Sequence, residues 1–166
     1  MVVQKFLLRS HVVALIILAC LQLALAGDAA SSDRQSNLER VVIFAIQQES
    51  KTTDFKSAKH LCIGFGHGLS LHERAIISAL RRSGMKANST GRCGQGPHDL
   101  LIDVNAPINE PSPGTFEVTI DVGNPWIEPG TCFAILLRRG TYTVRAETGS
   151  EPKLVSYRQT CCDKSN

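Results

Sequence analysis

Six cysteines carry the most definite chemistry in this sequence. Cys20 lies in an apolar N-terminal segment, and five more follow it: Cys62, Cys93, Cys132, Cys161 and Cys162. Thiols of exported proteins tend to pair, and two bonds can be drawn from five cysteines in fifteen ways, always leaving one over. These five residues are therefore the disulfide candidates if the chain is exported.

Strand geometry restricts how the last cysteines pair. If the last three predicted strands form a simple meander, Cys132 lies opposite residues near Glu147, whereas Cys161 lies near Arg139. Seven residues of strand separate those positions, roughly 23 Å at about 3.3 Å each, which exceeds the reach of a disulfide. We therefore expect no bond between Cys132 and the C-terminal tail unless the tail folds back.

The pairing that we expect first joins Cys62 to Cys93, because these residues bracket the second predicted helix. For the doublet Cys161-Cys162 three alternatives remain: it forms one bond elsewhere, stays partly free, or links two chains in a disulfide-bonded dimer. Between the first pair, Asn88-Ser89-Thr90 matches the N-glycosylation pattern, which matters only in a eukaryotic host.

The middle of the chain also holds potential metal ligands, namely His60, Cys62, His67 and His72, with Cys93 and His98 further on. Structural zinc sites usually show paired short spacings such as Cys-x-x-Cys or His-x-x-x-His, and neither occurs here. We therefore interpret the histidines as surface residues and expect neither a metal nor a cofactor.

A glycine-rich segment, Gly64 to Ser70, lies between a predicted strand and a predicted helix start, where phosphates often bind. However, Leu69 occupies the place of the third glycine of a dinucleotide fingerprint, and no Gly-Lys-Ser/Thr follows. We interpret this segment as a hinge from sheet to helix, with anion binding by the helix amides as the alternative.

Residues for two kinds of catalytic site are present, but the sequence motifs that usually surround such sites are missing. Ser70, His67 and Asp99 would make a hydrolase triad, yet the nucleophile elbow Gly-x-Ser-x-Gly is missing. Cys62 with His60 has no family signature, and an exported thiol is more often oxidised than nucleophilic. We assign no catalytic residue, so whether the chain is an enzyme stays open.

The N-terminal segment predicts export. Lys5 and Arg9 precede an apolar stretch from Val12 to Leu21, and Ala24-Leu25-Ala26 matches the small-x-small pattern that signal peptidase recognises. We expect residues 1–26 to be a cleaved signal peptide and the mature protein to be secreted or periplasmic.

A membrane anchor and a lipoprotein are the two alternatives to a cleaved signal peptide. A membrane anchor needs about 20 apolar residues, and this stretch is shorter, so we expect no stable span after cleavage. A lipoprotein would use Ile17-Leu18-Ala19-Cys20 as its lipid-attachment box, but a leucine before Ala19 is unusual there. The residues after Cys20 are also too apolar for a tether.

Cleavage would leave a nearly neutral protein. It removes two of the 18 basic residues and none of the 15 acidic ones, so the mature chain carries a net charge of +1. Proteins that bind nucleic acid show a basic face or stripe, and we expect no such partner. Arg81-Arg82 and Arg138-Arg139 are isolated pairs, interpreted as solvated helix or turn ends.

Two amphipathic helices are predicted by capping boxes followed by an apolar stripe. The first opens at Ser36-Asn37-Leu38-Glu39 and buries Leu38, Val41, Val42, Ala45 and Ile46. The second opens at Ser70-Leu71-His72-Glu73 and buries Ala75, Ile76, Ala79 and Leu80. Gly84 ends it, with Arg81 and Arg82 in the last turn, where cations suit the helix dipole.

Strands are predicted at 60–65, 100–104, 116–122, 132–137, 142–146 and 153–159. Phe116, Val118, Ile120 and Val122 alternate with polar residues, which indicates one buried and one solvated face. On the solvated side we interpret Asp103, Glu117 and Asp121 as carboxylates that only solvate the sheet. Residues 105–114, with three prolines, are predicted to be a rigid loop, and the short connection 138–140 favours antiparallel neighbours.

These elements predict an α+β domain, with two helices packed on one face of a curved antiparallel sheet of four to five strands. Residues 27–35 are expected to be a flexible leader, 36–162 one domain, and 163–166 a tail. About 140 residues suffice for one hydrophobic core.

Several short motifs of this sequence resemble segments of other proteins. Leu61-Cys62-Ile63-Gly64, Leu80-Arg81-Arg82-Ser83-Gly84, Cys93 and Leu136-Leu137-Arg138-Arg139-Gly140 resemble segments of a scattered group of exported bacterial α+β proteins without an assigned role. The layout is also similar to the cone-shaped fold of the nuclear-transport-factor and scytalone-dehydratase relatives. That resemblance implies a pocket between helices and sheet and transfers no functional residue.

Two classes of function remain. The first is a non-catalytic exported domain that binds a protein, the cell envelope or a small molecule. The alternative is a small pocket enzyme or ligand carrier with a site between helices and sheet. We favour the first, because the buried side of the alternating strand offers phenylalanine, valine and isoleucine rather than polar groups.

Overall fold

A computed structural model of the chain describes residues 33–51, 55, 58–90, 99–124 and 135–161. Within these ranges the fold is α+β, with two helices and one open mixed sheet. Helix α1 spans residues 33–49 and α2 spans Glu73–Arg82. The strands are β1 His60–Phe65, β2 Ala87–Ser89, β3 Asp99–Val104, β4 Asn109–Ser112, β5 Thr115–Asn124, β6 Ile135–Arg145 and β7 Lys153–Cys161.

Helix α1 has the predicted buried stripe. Val41, Val42, Ala45 and Ile46 are fully buried, and Leu38 packs against the same core. The predicted start is wrong, because the helix already includes residues 33–35, which the sequence assigned to the leader. Ser36 therefore lies inside the helix and is not its N-cap.

Helix α2 differs from its prediction at its beginning. Its N-cap is His72, which makes no side-chain capping bond, so the capping box at Ser70 is wrong. His72 is held instead by Glu39 of α1, whose Oε1 accepts from the His72 backbone amide at 3.0 Å and lies 2.7 Å from its Nδ1. The buried residues are Ile76, Ile77 and Leu80, whereas Ala75 is exposed.

The end of α2 follows the prediction. Gly84 has a φ of +89°, and its amide donates to the Arg81 carbonyl while the Met85 amide donates to the Leu80 carbonyl. This is a Schellman ending, in which a left-handed glycine lets the chain satisfy the last helical carbonyls. Arg81 and Arg82 lie in the last turn as expected.

The sheet is larger and more mixed than predicted. Its described order is β2-β1-β3-β5-β6-β7, with β4 beside β5. β1 is parallel to both β2 and β3, whereas the pairs β3–β5, β5–β6 and β6–β7 are antiparallel. The expectation of a purely antiparallel sheet of four to five strands is wrong where β2, β1 and β3 lie side by side, because these strands are parallel. The reason is that α2 forms a crossover long enough to return the chain parallel to β1.

The segment 138–140 is not a connection but the middle of β6. Gly140, which reads as a turn residue, packs against the ring of Tyr157 on β7. A Cβ at this position would lie 2.7 Å from Tyr157 Cε2, so a larger residue would displace the ring. Part of the predicted rigid loop likewise forms β4, beside β5.

Both helices cover the same face of the sheet, as predicted. Phe116, Val118, Ile120 and Val122 are buried there with alternating residues of β1 and β3 and with side chains of α1 and α2. The opposite face carries the intervening residues and is called the outer face below. No helix in the described ranges is long and apolar enough to cross a membrane.

Candidate functional site

Polar side chains on the outer face lie in one row across the sheet. The strand register places Gly64 beside Asp103, Asp103 beside Asp121, and Asp121 beside Arg139. Arg139 in turn pairs with Cys161, as the meander geometry predicted. Strand pairing thus brings together two carboxylates and one guanidinium that are far apart in the sequence.

The two carboxylates of this row, Asp103 and Asp121, have pKa values shifted in opposite directions. Burial would raise the pKa of Asp121, but hydrogen bonds from Arg139 and Asn105 and the Arg139 charge lower it overall. Arg139 Nε and Nη2 each donate to this carboxylate at 2.6 Å. The pKa of Asp103 is raised, first by burial and then by the Asp121 charge, with His67 opposing.

Gly64 provides the space in which the Asp103 carboxylate lies. A Cβ on Gly64 would be 2.9 Å from Asp103 Oδ1 and 3.1 Å from Thr90 Cγ2. Because the glycine is in β1 beside β3, its missing side chain leaves room for Asp103 to lean across the strand. The glycine-rich segment therefore has a packing role at its first residue.

Two acids whose pKa values are pushed apart are the arrangement used for general acid and base catalysis. Here, however, the ionised partner Asp121 accepts hydrogen bonds from Nε and Nη2 of Arg139, which also serves as its counter-ion. Among the described residues, no three His, Cys, Asp or Glu side chains form a group that could hold a metal ion. The row therefore joins β5 to β6 through the ion pair of Asp121 with Arg139 and places the Asp103 carboxylate of β3 beside that pair.

The sketched hydrolase triad is not assembled. Asp99 pairs with His60, at 3.0 Å from its Nδ1, at the beginning of β1. His67 and Ser70 follow the opposite end of that strand, so His67 lies roughly 20 Å away along a six-residue strand. His72 contacts Glu39, and the three histidines His60, His67 and His72 are not brought together as one set of ligands.

The structure describes two of the five disulfide candidates, Cys62 and Cys161. Cys62 is fully buried on β1, on the opposite side from its neighbours Leu61 and Ile63, which join the helix-facing core. Cys161 is the last residue of β7. Cys93, Cys132 and Cys162 lie outside the described residues, as does His98, so the pairing of Cys62 with Cys93 stays a prediction.

A buried ionic cluster at the end of α1 was missed by the sequence reasoning. Glu49 is completely buried and accepts hydrogen bonds from Arg138 and from the phenol of Tyr142. Burial, followed by this carboxylate, raises the pKa of Tyr142. The only signal was a glutamate on the buried helical face, three residues after Ile46.

The interpretation of Arg138-Arg139 as a solvated pair is therefore wrong. Because successive residues of a strand point to opposite faces, Arg138 reaches Glu49 under the helices and Arg139 reaches Asp121 on the outer face. Arg81 is also engaged, through 2.7 Å and 2.8 Å hydrogen bonds to the Ala87 carbonyl and the Asn88 side chain.

A groove of about 600 Å³ runs beside α1. Its walls come from α1, from the turn after α2 and from the connection before β7, and none of its lining residues belongs to a strand. They include Ile43, Phe44, Gln47 and Met85, with Arg40 and Glu151. This groove does not place a polar group between helices and sheet.

The exposed apolar side chains are concentrated at the other side of the sheet. Among the described residues, four large hydrophobic side chains are exposed, all on β6 and β7: Leu137, Leu154, Val155 and Tyr157. Val155 is the most exposed, at 55%. We refer to these four residues as the β6–β7 edge.

No protein-family model matches this sequence, and no curated protein or solved structure is significantly similar to it. The resemblance to the cone-shaped fold therefore stays a prediction.

Proposed function

We propose that this chain is an exported, non-catalytic interaction domain that contacts its partner through the β6–β7 edge. The observation that carries the proposal is the concentration of exposed large hydrophobic residues on two adjacent strands. Single exposed apolar residues are normal, whereas several of them close together, as Leu154, Val155 and Tyr157 are on β7, indicate a surface that another molecule covers.

The position of β7 supports this proposal. It is the terminal strand in the described sheet order, so one side of its backbone has no neighbouring strand there. Edge strands offer unpaired amides and carbonyls to another chain. Its first eight residues are all exposed.

The engagement of the polar groups argues against the enzyme alternative. Glu49 is bound by Arg138 and Tyr142, and Asp121 is bound by Arg139. Each of these two carboxylates is already bound by side chains of the protein itself, which makes it less available as an acid or base for a substrate. Asp103 is the exception, and its neighbour across the strands is the second carboxylate, Asp121.

Site-specific photo-crosslinking tests this function. The mature protein would carry a photoreactive residue at Val155, or at Arg74 on the exposed side of α2 as a matched control, and be irradiated in the medium into which its host exports it. We expect an adduct of defined mass from position 155 only, suppressed by excess wild-type protein but not by a Leu154→Ser/Val155→Ser competitor. Equal labelling at both positions would contradict the proposal.

A further inference from the structure

We infer that the partner held by the β6–β7 edge is an acidic polypeptide segment in extended conformation. This inference rests on the proposed function and adds the chemistry of the partner. Strands β6 and β7 together contain five basic residues and no acidic residue. Such an excess on two adjacent strands attracts a partner that carries negative charge.

Within the described part of the chain, two of the five cations are neutralised by acidic side chains. Arg138 pairs with Glu49 and Arg139 with Asp121. Arg145, Lys153 and Arg158 are exposed and form no ion pair with any residue in the described ranges. These three side chains are therefore available to carboxylates of a partner.

The register places the free cations on one face at the spacing of an extended chain. Lys153 lies beside Arg145, and Arg158 lies beside Thr141 on the outer face. Lys153 and Arg158 are five residues apart along β7, roughly 16 Å in a strand. Between them, the Ser156 hydroxyl donates to Thr143 Oγ1 at 2.9 Å, so the surface between the cations is polar.

The apolar residues of the edge favour a polypeptide over an anionic polysaccharide. Leu154, Val155 and Tyr157 lie between the same two cations in the sequence and are each more than 40% exposed. A strand that alternates acidic and apolar side chains matches both sets of residues, since successive side chains point to opposite faces. A sulfated sugar chain would satisfy the cations and leave the aliphatic side chains uncovered.

The same features oppose pairing with a second copy of this chain. Two copies would bring Lys153 and Arg158 of each β7 together without compensating acids. Register shifts between β6 and β7 also leave Val155 and Thr160 without a direct partner on β6. A lysine and bulges are devices by which natural edge strands avoid self-association.

Fluorescence anisotropy of the mature protein with labelled ten-residue peptides tests the inference. The probes are an alternating Glu-Val peptide, an alternating Lys-Val peptide and a heparin oligosaccharide. We expect the Glu-Val peptide to bind and the Lys-Val peptide not to bind. In Lys153→Glu/Arg158→Glu, affinity for the acidic peptide should fall at least about tenfold, because two attractive contacts become repulsive.

The matched control is Arg74→Glu/Arg82→Glu, which makes the same charge change on exposed residues of α2. It should bind the acidic peptide like the wild type. Equal weakening in both variants would overturn the inference, because only net charge would then matter.

Two further results would overturn the partner class and leave the proposed function standing. One is heparin binding that depends on Lys153 and Arg158 while the acidic peptide does not bind. The other is a wild-type dimer in sedimentation that Val155→Glu dissociates, which would identify a second copy as the occupant. Absence of any position-dependent crosslink at Val155 would instead refute the proposed function itself.

Discussion

The phenol of Tyr142, in the middle of β6, donates a hydrogen bond to the carboxylate of Glu49, the last residue of α1. A glutamate is unfavourable at this end of a helix, because the carbonyl dipoles there are negative. Arg138 supplies the compensating charge. The cluster thus fixes the end of α1 to the sheet, and Tyr157, whose ring centroid is 4.8 Å from that of Tyr142, covers it from β7.

Removing Glu49 should be strongly destabilising. Glu49→Ala removes the carboxylate that pairs with Arg138, whose side chain is only 15% exposed, and breaking a buried ion pair from one side costs about 3–5 kcal/mol. The free energy of unfolding from urea titration measures this cost. Glu151→Ala, an exposed control, should change it by less than about 0.5 kcal/mol. Similar values for both variants would show that the buried cluster contributes nothing.

Ionisation of the tyrosines should limit stability at high pH. Burial raises the pKa of both Tyr142 and Tyr157, the only tyrosines in the chain, relative to unfolded phenols at about 10. A raised folded pKa contributes stability that is complete below about pH 10 and is lost as the pH rises further.

We therefore expect the absorbance of tyrosinate to appear only above pH 10, together with loss of structure by circular dichroism. In Tyr142→Phe the decline of stability with pH should be shallower. Full tyrosinate absorbance at pH 10 in the folded protein would contradict this expectation.

Replacing Asp103 or Asp121 on the outer face by asparagine should change the stability of the protein in opposite directions. Asp121→Asn removes the partner of Arg139 and should destabilise the protein at neutral pH, whereas Asp103→Asn relieves repulsion and should stabilise it by up to about 1 kcal/mol after solvent screening. Chemical denaturation at several pH values measures both changes.

The pH dependence follows from the pKa directions. The pKa of Asp103 is raised in the folded state, so its favourable contribution is complete below about 3.9 and is lost as the pH rises through its folded value. The gain in stability that we expect from Asp103→Asn should therefore vanish near pH 3. The pKa of Asp121 is lowered, so its contribution is present at neutral pH and lost in acid. If the difference in stability between Asp103→Asn and the wild type were the same at all pH values, the raised pKa of Asp103 would be refuted.

Cys62 is expected to be joined to Cys93. The chain leaves β2 on one side of β1 and returns as β3 on the other side. Cys62 is buried on the side of β1 opposite to Leu61 and Ile63, which join the helix-facing core. Non-reducing peptide mapping should find the cross-linked pair, and Cys62→Ser/Cys93→Ser should lose about 2–4 kcal/mol. An unfolding midpoint that is insensitive to reductant would argue against the bond.

Export should remove the N-terminal segment. Cleavage after Ala26 leaves Gly27 as the first residue of the mature protein. Intact mass spectrometry of the exported protein should show this N-terminus within one or two residues. Met1 retained in a membrane fraction, or a diacylated Cys20, would establish one of the two alternatives instead.

Local patterns predicted the elements that depend on neighbouring residues. The bounds of β1 agree with the prediction at both ends, and Phe116 to Val122 has its apolar side toward the helices. Gly84 ends α2 through its left-handed conformation. These features succeed because alternation and helix endings are properties of a few consecutive residues.

Helix starts and the strand at 138–140 were predicted less well. Ser36 and Ser70 each fit a capping box, but neither caps its helix. The two arginines and the glycine at 138–140 have the composition of a turn. In the folded sheet, however, each of them contacts a residue that is distant in the sequence. Composition cannot distinguish a solvated arginine from one whose partner lies 89 residues away, as Glu49 does from Arg138.

The amino-acid sequence alone determined the α+β class, the two amphipathic helices and the buried side of β5, because side-chain periodicity selects which face leaves water. Only the tertiary structure decided that β1 is parallel to its neighbours and that Glu49 meets Tyr142. It also decided that Arg145, Lys153 and Arg158 are exposed and form no ion pair with another described residue. Those outcomes depend on which strands become neighbours, and strand order is set by packing of the whole core rather than by any local segment.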